Sequence, residues 1–145
     1  MKIVRGHPRM SGIKRSATLA LGMAATLAAS VAFTSPAMAA SSPIEACGGG
    51  SYHVIDSKAL GSYATIYLLY NGSTNCVVTW KKGSYVGNSA WVRAVVQAYG
   101  SPGVVDADYY RYYAGPVKVK APGKCIMWGG SYGNQWWESP FEHCG

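Results

Sequence analysis

A chain of 145 residues with 13 Lys and Arg against six Asp and Glu carries a formal charge of +7 and a pI of about 9.3, a balance that in isolation suits a polyanionic partner. Five of those cations, Lys2, Arg5, Arg9, Lys14 and Arg15, precede a nearly uncharged Ala/Leu/Val-rich run over residues 17–33 and the small-x-small triplet Ala37-Met38-Ala39. This is the pattern of a secretory signal peptide, residues 1–39, cleaved after Ala39; its removal leaves +2 and excludes nucleic-acid binding by bulk charge, since only Lys81-Lys82 and the pair Lys118 and Lys120 remain grouped.

A membrane anchor is the rival reading of the leader, but its apolar run is interrupted by Gly22, Thr26 and Ser30 and falls short of about 18 strongly apolar residues. Lys14-Arg15 is not the arginine pair of a twin-arginine signal. The expected product is secreted, extracellular and free of the membrane after cleavage. Residues 40–46 read as a loose N-terminal lead in which Pro43 discourages a helix, and residues 47–145 as one domain.

Cys47 opens a glycine run, Gly48-Gly49-Gly50, followed by a first short strand over residues 51–57. No Gly-Lys-Ser/Thr ending or helix follows the glycines, so they predict a turn and no phosphate cradle. Residues 62–82, SYATIYLLYNGSTNCVVTWKK, are the centre of the domain: two β-rich runs flank Asn71-Gly72-Ser73-Thr74, where Asn and Gly supply positive φ, and predict a hairpin. The first run is apolar or aromatic on both alternating sets, so both of its faces are expected to be covered. After a turn at residues 83–88, residues 89–99 place Val92, Ala94, Val96 and Ala98 on one side and Trp91, Arg93, Val95, Gln97 and Tyr99 on a wetter one. Residues 109–113 predict an aromatic strand with Tyr109, Arg111 and Tyr113 on one face and Tyr110 and Tyr112 on the other. Val117-Lys118-Val119-Lys120 alternates as an exposed edge strand does, its lysines opposing edge-to-edge association, and residues 124–128 form a last strand. The tail, WGGSYGNQWWESPFEHCG, has no usable period and is expected to be irregular. GGSY occurs at residues 49–52 and 129–132, but the flanks differ and indicate no internal repeat.

All four cysteines, Cys47, Cys76, Cys125 and Cys144, lie beyond the leader, as in an exported domain held by two disulfides. Their spacing lacks the close pairs of a zinc site. Three pairings are possible; the sequence-local one, Cys47 with Cys76 and Cys125 with Cys144, is the expectation. Six to seven short strands punctuated by Gly and Pro, with no apolar stripe of helical period, predict an all-β fold, a small disulfide-stapled sandwich or partly open barrel.

Catalytic groups are sparse. The mature chain has two histidines, His53 and His143, and His143 adjoins a cysteine that is unreactive when oxidised. Asp106 with Asp108, or Glu138 with Glu142, could act as paired carboxylates, but Asp beside a Pro-Gly turn is more often a turn residue. No Gly-x-Ser-x-Gly motif is present. No catalytic, cofactor or metal residues are assigned. Aromatic side chains are in excess, with 11 Tyr and five Trp, and adjacent Trp136 and Trp137 cannot both face one core if extended. Tyr110, Tyr112, Trp136 and Trp137 are the candidate binding rings, against a competing role in the core of a domain with only three mature leucines.

Cys47 with its glycine run, Val54-Ile55-Asp56-Ser57, Tyr67-Leu68-Leu69-Tyr70-Asn71, Asn75-Cys76-Val77-Val78-Thr79, Tyr112-Tyr113-Ala114-Gly115-Pro116-Val117, Trp128-Gly129-Gly130 and the ending Ser139-Pro140-Phe141-Glu142-His143-Cys144-Gly145 together resemble the small secreted spore-associated proteins, of spore-associated protein A type, of actinomycetes. The match runs in order along the whole mature chain. The resemblance implies export to a spore or aerial-cell surface and carries over no catalytic residues; Trp136-Trp137 and the long basic start depart from it. The expectation is a non-enzymatic protein adhering to wall glycan or coat components. A small hydrolase using carboxylates is the alternative, and an exported protease inhibitor presenting residues 83–88 a weaker third.

Overall fold

The computed structural model describes residues 39–145, so the predicted signal peptide, Ala39 apart, lies outside the described residues. Among the described residues no helix is long and apolar enough to cross a membrane.

Eight strands form two four-stranded antiparallel sheets packed as a sandwich. The strands are β1 (His53–Leu60), β2 (Ala64–Tyr70), β3 (Thr74–Lys81), β4 (Ala90–Ala98), β5 (Val104–Tyr110), β6 (Tyr113–Lys120), β7 (Ile126–Tyr132) and β8 (Gln135–Glu138). The first sheet has the order β1-β2-β3-β6, the second β5-β4-β7-β8. The all-β expectation holds, and the alternative between barrel and sandwich resolves to the sandwich.

The central hairpin is β2–β3, with Tyr70 opposite Asn75 and Leu69 opposite Cys76. Only Gly72 takes a positive φ, 97°. Asn71 serves through its side chain: Oδ1 accepts the backbone N–H groups of Ser73 (3.1 Å) and Thr74 (2.8 Å), an Asx-type turn. Alternation then divides the hairpin between two environments. Ala64, Ile66, Leu68 and Val77 face the second sheet and meet Val92, Ala94, Val96, Ile126 and Trp128 in the main core. Leu69, Cys76 and Val78 face outward, yet are fully buried, because Cys47, Ala46 and Tyr52 lie over them.

That outer cover corrects the reading of residues 40–46 as loose. Pro43–Ala46 is one α-helical turn, α1, capped by Ser42, whose Oγ accepts the N–H of Glu45 at 3.1 Å. Pro43 stands at the first helical position, where its missing N–H costs nothing. The Cys47–Cys76 disulfide clips this strap to β3, and Cys125–Cys144 holds the tail to the start of β7, so the structure adopts the sequence-local pairing. Each closure should contribute about 3 kcal/mol in the chain-entropy model.

Two further expectations are overturned. Residues 109–113 are not one strand: β5 ends at Tyr110, residues 111 and 112 turn, and β6 begins at Tyr113 in the other sheet, so the aromatic run is a corner between layers. The tail is not irregular throughout, because β7 continues to Tyr132 and pairs through a turn with β8, Gly130 opposite Trp137 and Ser131 opposite Trp136. β6 is an edge of the first sheet with Lys118 and Lys120 exposed, as its alternation indicated.

The sheets approach closely at Gly130, where a Cβ would strike Thr79 Oγ1 of the opposite sheet and the Arg93 carbonyl of the neighbouring strand. Thr79 Oγ1 uses this approach to donate to the Arg93 carbonyl oxygen at 2.7 Å, a polar tie between layers whose partners are both satisfied.

Candidate functional site

The outward faces of the two sheets differ. The first is sealed over its centre by the disulfide-clipped strap. On the second, the register sets Tyr109 beside Trp91, and Ala107, Arg93, Ser131 and Trp136 in one row across β5, β4, β7 and β8. Trp91, Tyr109 and Trp136 are 41%, 68% and 71% exposed, and Trp91 and Tyr109 meet edge to face with centroids 5.4 Å apart. Between the rings the residues are small, Ala107 and Ser131, and the polar groups are Arg93 and Glu138, paired at 2.8 Å. The result is a shallow aromatic platform with one ion pair set into it, a surface that can stack on flat faces of a ligand while offering donors and acceptors.

The four sequence-named rings separate. Trp136 stands on this platform. Its neighbour Trp137 points the other way, into the sandwich, edge-on to Trp128 at 4.9 Å and beneath Lys58 Nζ at 5.4 Å. Tyr110 packs against the core, and its hydroxyl donates to Asp106 Oδ1 at 2.5 Å. This hydrogen bond, followed by burial and the negative charges of Asp106 and Asp108, pushes the phenol up to about 12. Tyr112 is exposed, but on the corner between sheets and away from the platform rows. Trp91 and Tyr109 were not singled out from sequence, although the wetter face assigned to residues 89–99 already contained Trp91.

The carboxylates have local roles. Asp106 accepts Tyr110 Oη with one oxygen and the Gly115 N–H with the other, at 2.6 Å, and so pins the β5–β6 corner. Asp108 Oδ1 accepts the N–H of Tyr109 at 2.7 Å. Glu138 is paired with Arg93, while Glu142 Oε1 accepts Trp128 Nε1 at 2.8 Å, so the two glutamates do not form a facing pair. In the loop weighed as an inhibitor segment, Gly83–Tyr85 is a 3-10 turn, and Asn88 Nδ2 donates to the Ser84 carbonyl at 2.9 Å. Lys81, fully buried at the end of β3, donates from Nζ to the carbonyls of Asn88 and Tyr110, and burial lowers its pKa. It fastens the same corner.

At one end of the sandwich the C-terminal residues lie beside β1. His143 Nε2 is 3.1 Å from Asp56 Oδ2 and 3.8 Å from Glu142 Oε1. His143 also lines a groove of about 290 Å³ with Ile55, Tyr70, Asn75, Ala121 and the last two residues.

No family model matches the chain, and no solved structure does. Among curated proteins, Spore-associated protein A of Streptomyces coelicolor is 39% identical over 127 residues, which span 85% of this chain and 80% of the relative. An identity of that size over that share of both chains shows common descent, and the chain belongs to the spore-associated protein A family.

Proposed function

We propose that the protein is an exported, non-enzymatic component of a spore or cell surface, held to wall glycan or coat through the outward face of its second sheet. The observation that carries this reading is the asymmetry between the sheets: one outer face is sealed by a disulfide-clipped strap, whereas the other leaves Trp91, Tyr109 and Trp136 open to solvent around an ion pair. Rings with polar groups between them suit the apolar faces and hydroxyls of sugars. The two disulfides suit an oxidising, extracellular setting, and the curated relative is named for its association with spores. The small mature charge argues against retention by bulk electrostatics. Structural engagement of Asp106, Glu138 and Glu142 supports the non-catalytic reading over the carboxylate hydrolase.

Each stacked ring contributes on the order of 1 kcal/mol, so attachment is weak and reversible by washing. A pull-down of the mature protein on purified spore and cell-wall material tests this, with Trp136→Ala and Trp91→Ala each expected to reduce retention. Equal retention of both variants removes the aromatic mechanism, and turnover of a polysaccharide or peptide replaces the reading with an enzyme.

A further inference from the structure

Asp56, Glu142 and His143 together offer two carboxylate oxygens and one imidazole nitrogen, all within 4.8 Å of one another. Around a tetrahedral ion with bonds of about 2.0–2.1 Å, neighbouring ligand atoms stand roughly 3.3 Å apart. The observed separations from His143 Nε2, 3.1 Å to Asp56 Oδ2 and 3.8 Å to Glu142 Oε1, lie either side of that value. We propose that these three side chains bind a divalent transition-metal ion of the zinc type.

The surroundings hold the donors in place. Glu142 is anchored from below, because the indole N–H of the buried Trp128 donates to its Oε1; outer partners of this kind orient metal-binding carboxylates. Its backbone is tied in both directions to Ile126, N to O at 2.9 Å and O to N at 2.8 Å. His143 follows with a left-handed φ of 51°, and Cys144 is then fixed through its disulfide to Cys125. Asp56 comes from β1, next to the register irregularity between Val54 and Asp56. The imidazole donor favours a borderline ion such as Zn²⁺ over Ca²⁺ or Mg²⁺, which prefer all-oxygen sets. The three side chains remain partly exposed, His143 at 31%, Asp56 at 41% and Glu142 at 37%, so a water can reach the ion as a fourth ligand. This site lies apart from the aromatic platform and does not depend on its role.

Zinc uptake by the disulfide-intact mature protein, followed by calorimetry and native mass spectrometry with Zn²⁺ alone as probe, is the test. One ion per chain is expected, with a rise in melting temperature that Ca²⁺ does not reproduce. Loss of an outer partner of a metal ligand costs about 10–100-fold in affinity, and His143→Ala and Asp56→Asn, which remove direct ligands, should each weaken binding by at least that factor. His53→Ala should leave it unchanged, since His53 Nδ1 lies against its own strand's entry at Ser51 O. Melting of the metal-free variants reports their folding. Absence of saturable uptake, or uptake undiminished in folded His143→Ala, overturns the proposal.

Discussion

Adjacent Trp136 and Trp137 should respond oppositely to truncation. Trp137 is half-buried, packs against the core and meets Trp128 edge-on at 4.9 Å. Truncating a fully buried Trp costs about 3–5 kcal/mol, and partial exposure reduces this to about 2–3 for Trp137→Ala. At roughly 4 °C per kcal/mol, the lower end for small domains, its melting temperature should fall by about 8–12 °C. Trp136 is 71% exposed, so Trp136→Ala stays within about 0.5 kcal/mol, or about 2 °C. Scanning calorimetry gives both values, and retention on spore material should reverse the order: Trp136→Ala loses binding, while folded Trp137→Ala keeps most of it. Equal melting losses, or a larger one for Trp136→Ala, would refute the assignment of one ring to the core and the other to the surface.

Replacing both Cys125 and Cys144 by Ala should cost about 3 kcal/mol for a closure of 19 residues, read as a lower denaturant midpoint, and should free the tail to early hydrogen exchange. Thr79→Val removes the hydrogen bond to the Arg93 carbonyl and leaves a buried acceptor, costing about 1–3 kcal/mol in chemical denaturation. Tyr110 titrates at about 12 in the folded chain against an ordinary 10.0, so the folded state holds the proton longer; its contribution is fully present below pH 10 and lost as pH rises to about 12. Lys81 has the opposite sign, since its lowered pKa makes the unfolded state bind more protons and stability rise with pH toward 10.5. Urea midpoints across alkaline pH should show the Tyr110 loss in the wild type and not in Tyr110→Phe.

Local chemistry made much of this fold readable. Asn71-Gly72 between two β-rich runs specified the central hairpin, and Val92, Ala94, Val96 and Ala98 announced the core face of β4. The β7–β8 hairpin was hidden because Gly129 and Gly130 interrupt its alternation. They are glycine because side chains there would collide, at Gly129 with the Trp137 carbonyl and Glu138 and at Gly130 with Thr79 from the opposite sheet, neighbours that exist only after folding. The corner at residues 111–112 was hidden for a related reason: five aromatic or basic residues have the same strand preference whether the chain runs straight or crosses between sheets, and what turns it is Asp106 bonding to Gly115 together with buried Lys81. The aromatic platform was partly visible through Trp136. Joining it to Trp91 and Tyr109 required the register of four strands, and the triad of Asp56, Glu142 and His143 spans residues up to 87 apart.

A binding isotherm on purified spore-wall material, comparing the mature protein with a variant carrying Trp91→Ala, Tyr109→Ala and Trp136→Ala together, tests the attachment reading most directly. Three rings at about 1 kcal/mol each predict a loss of affinity of roughly 100-fold, in a variant that still melts cooperatively. An isotherm superimposable on that of the wild type would contradict attachment through this face.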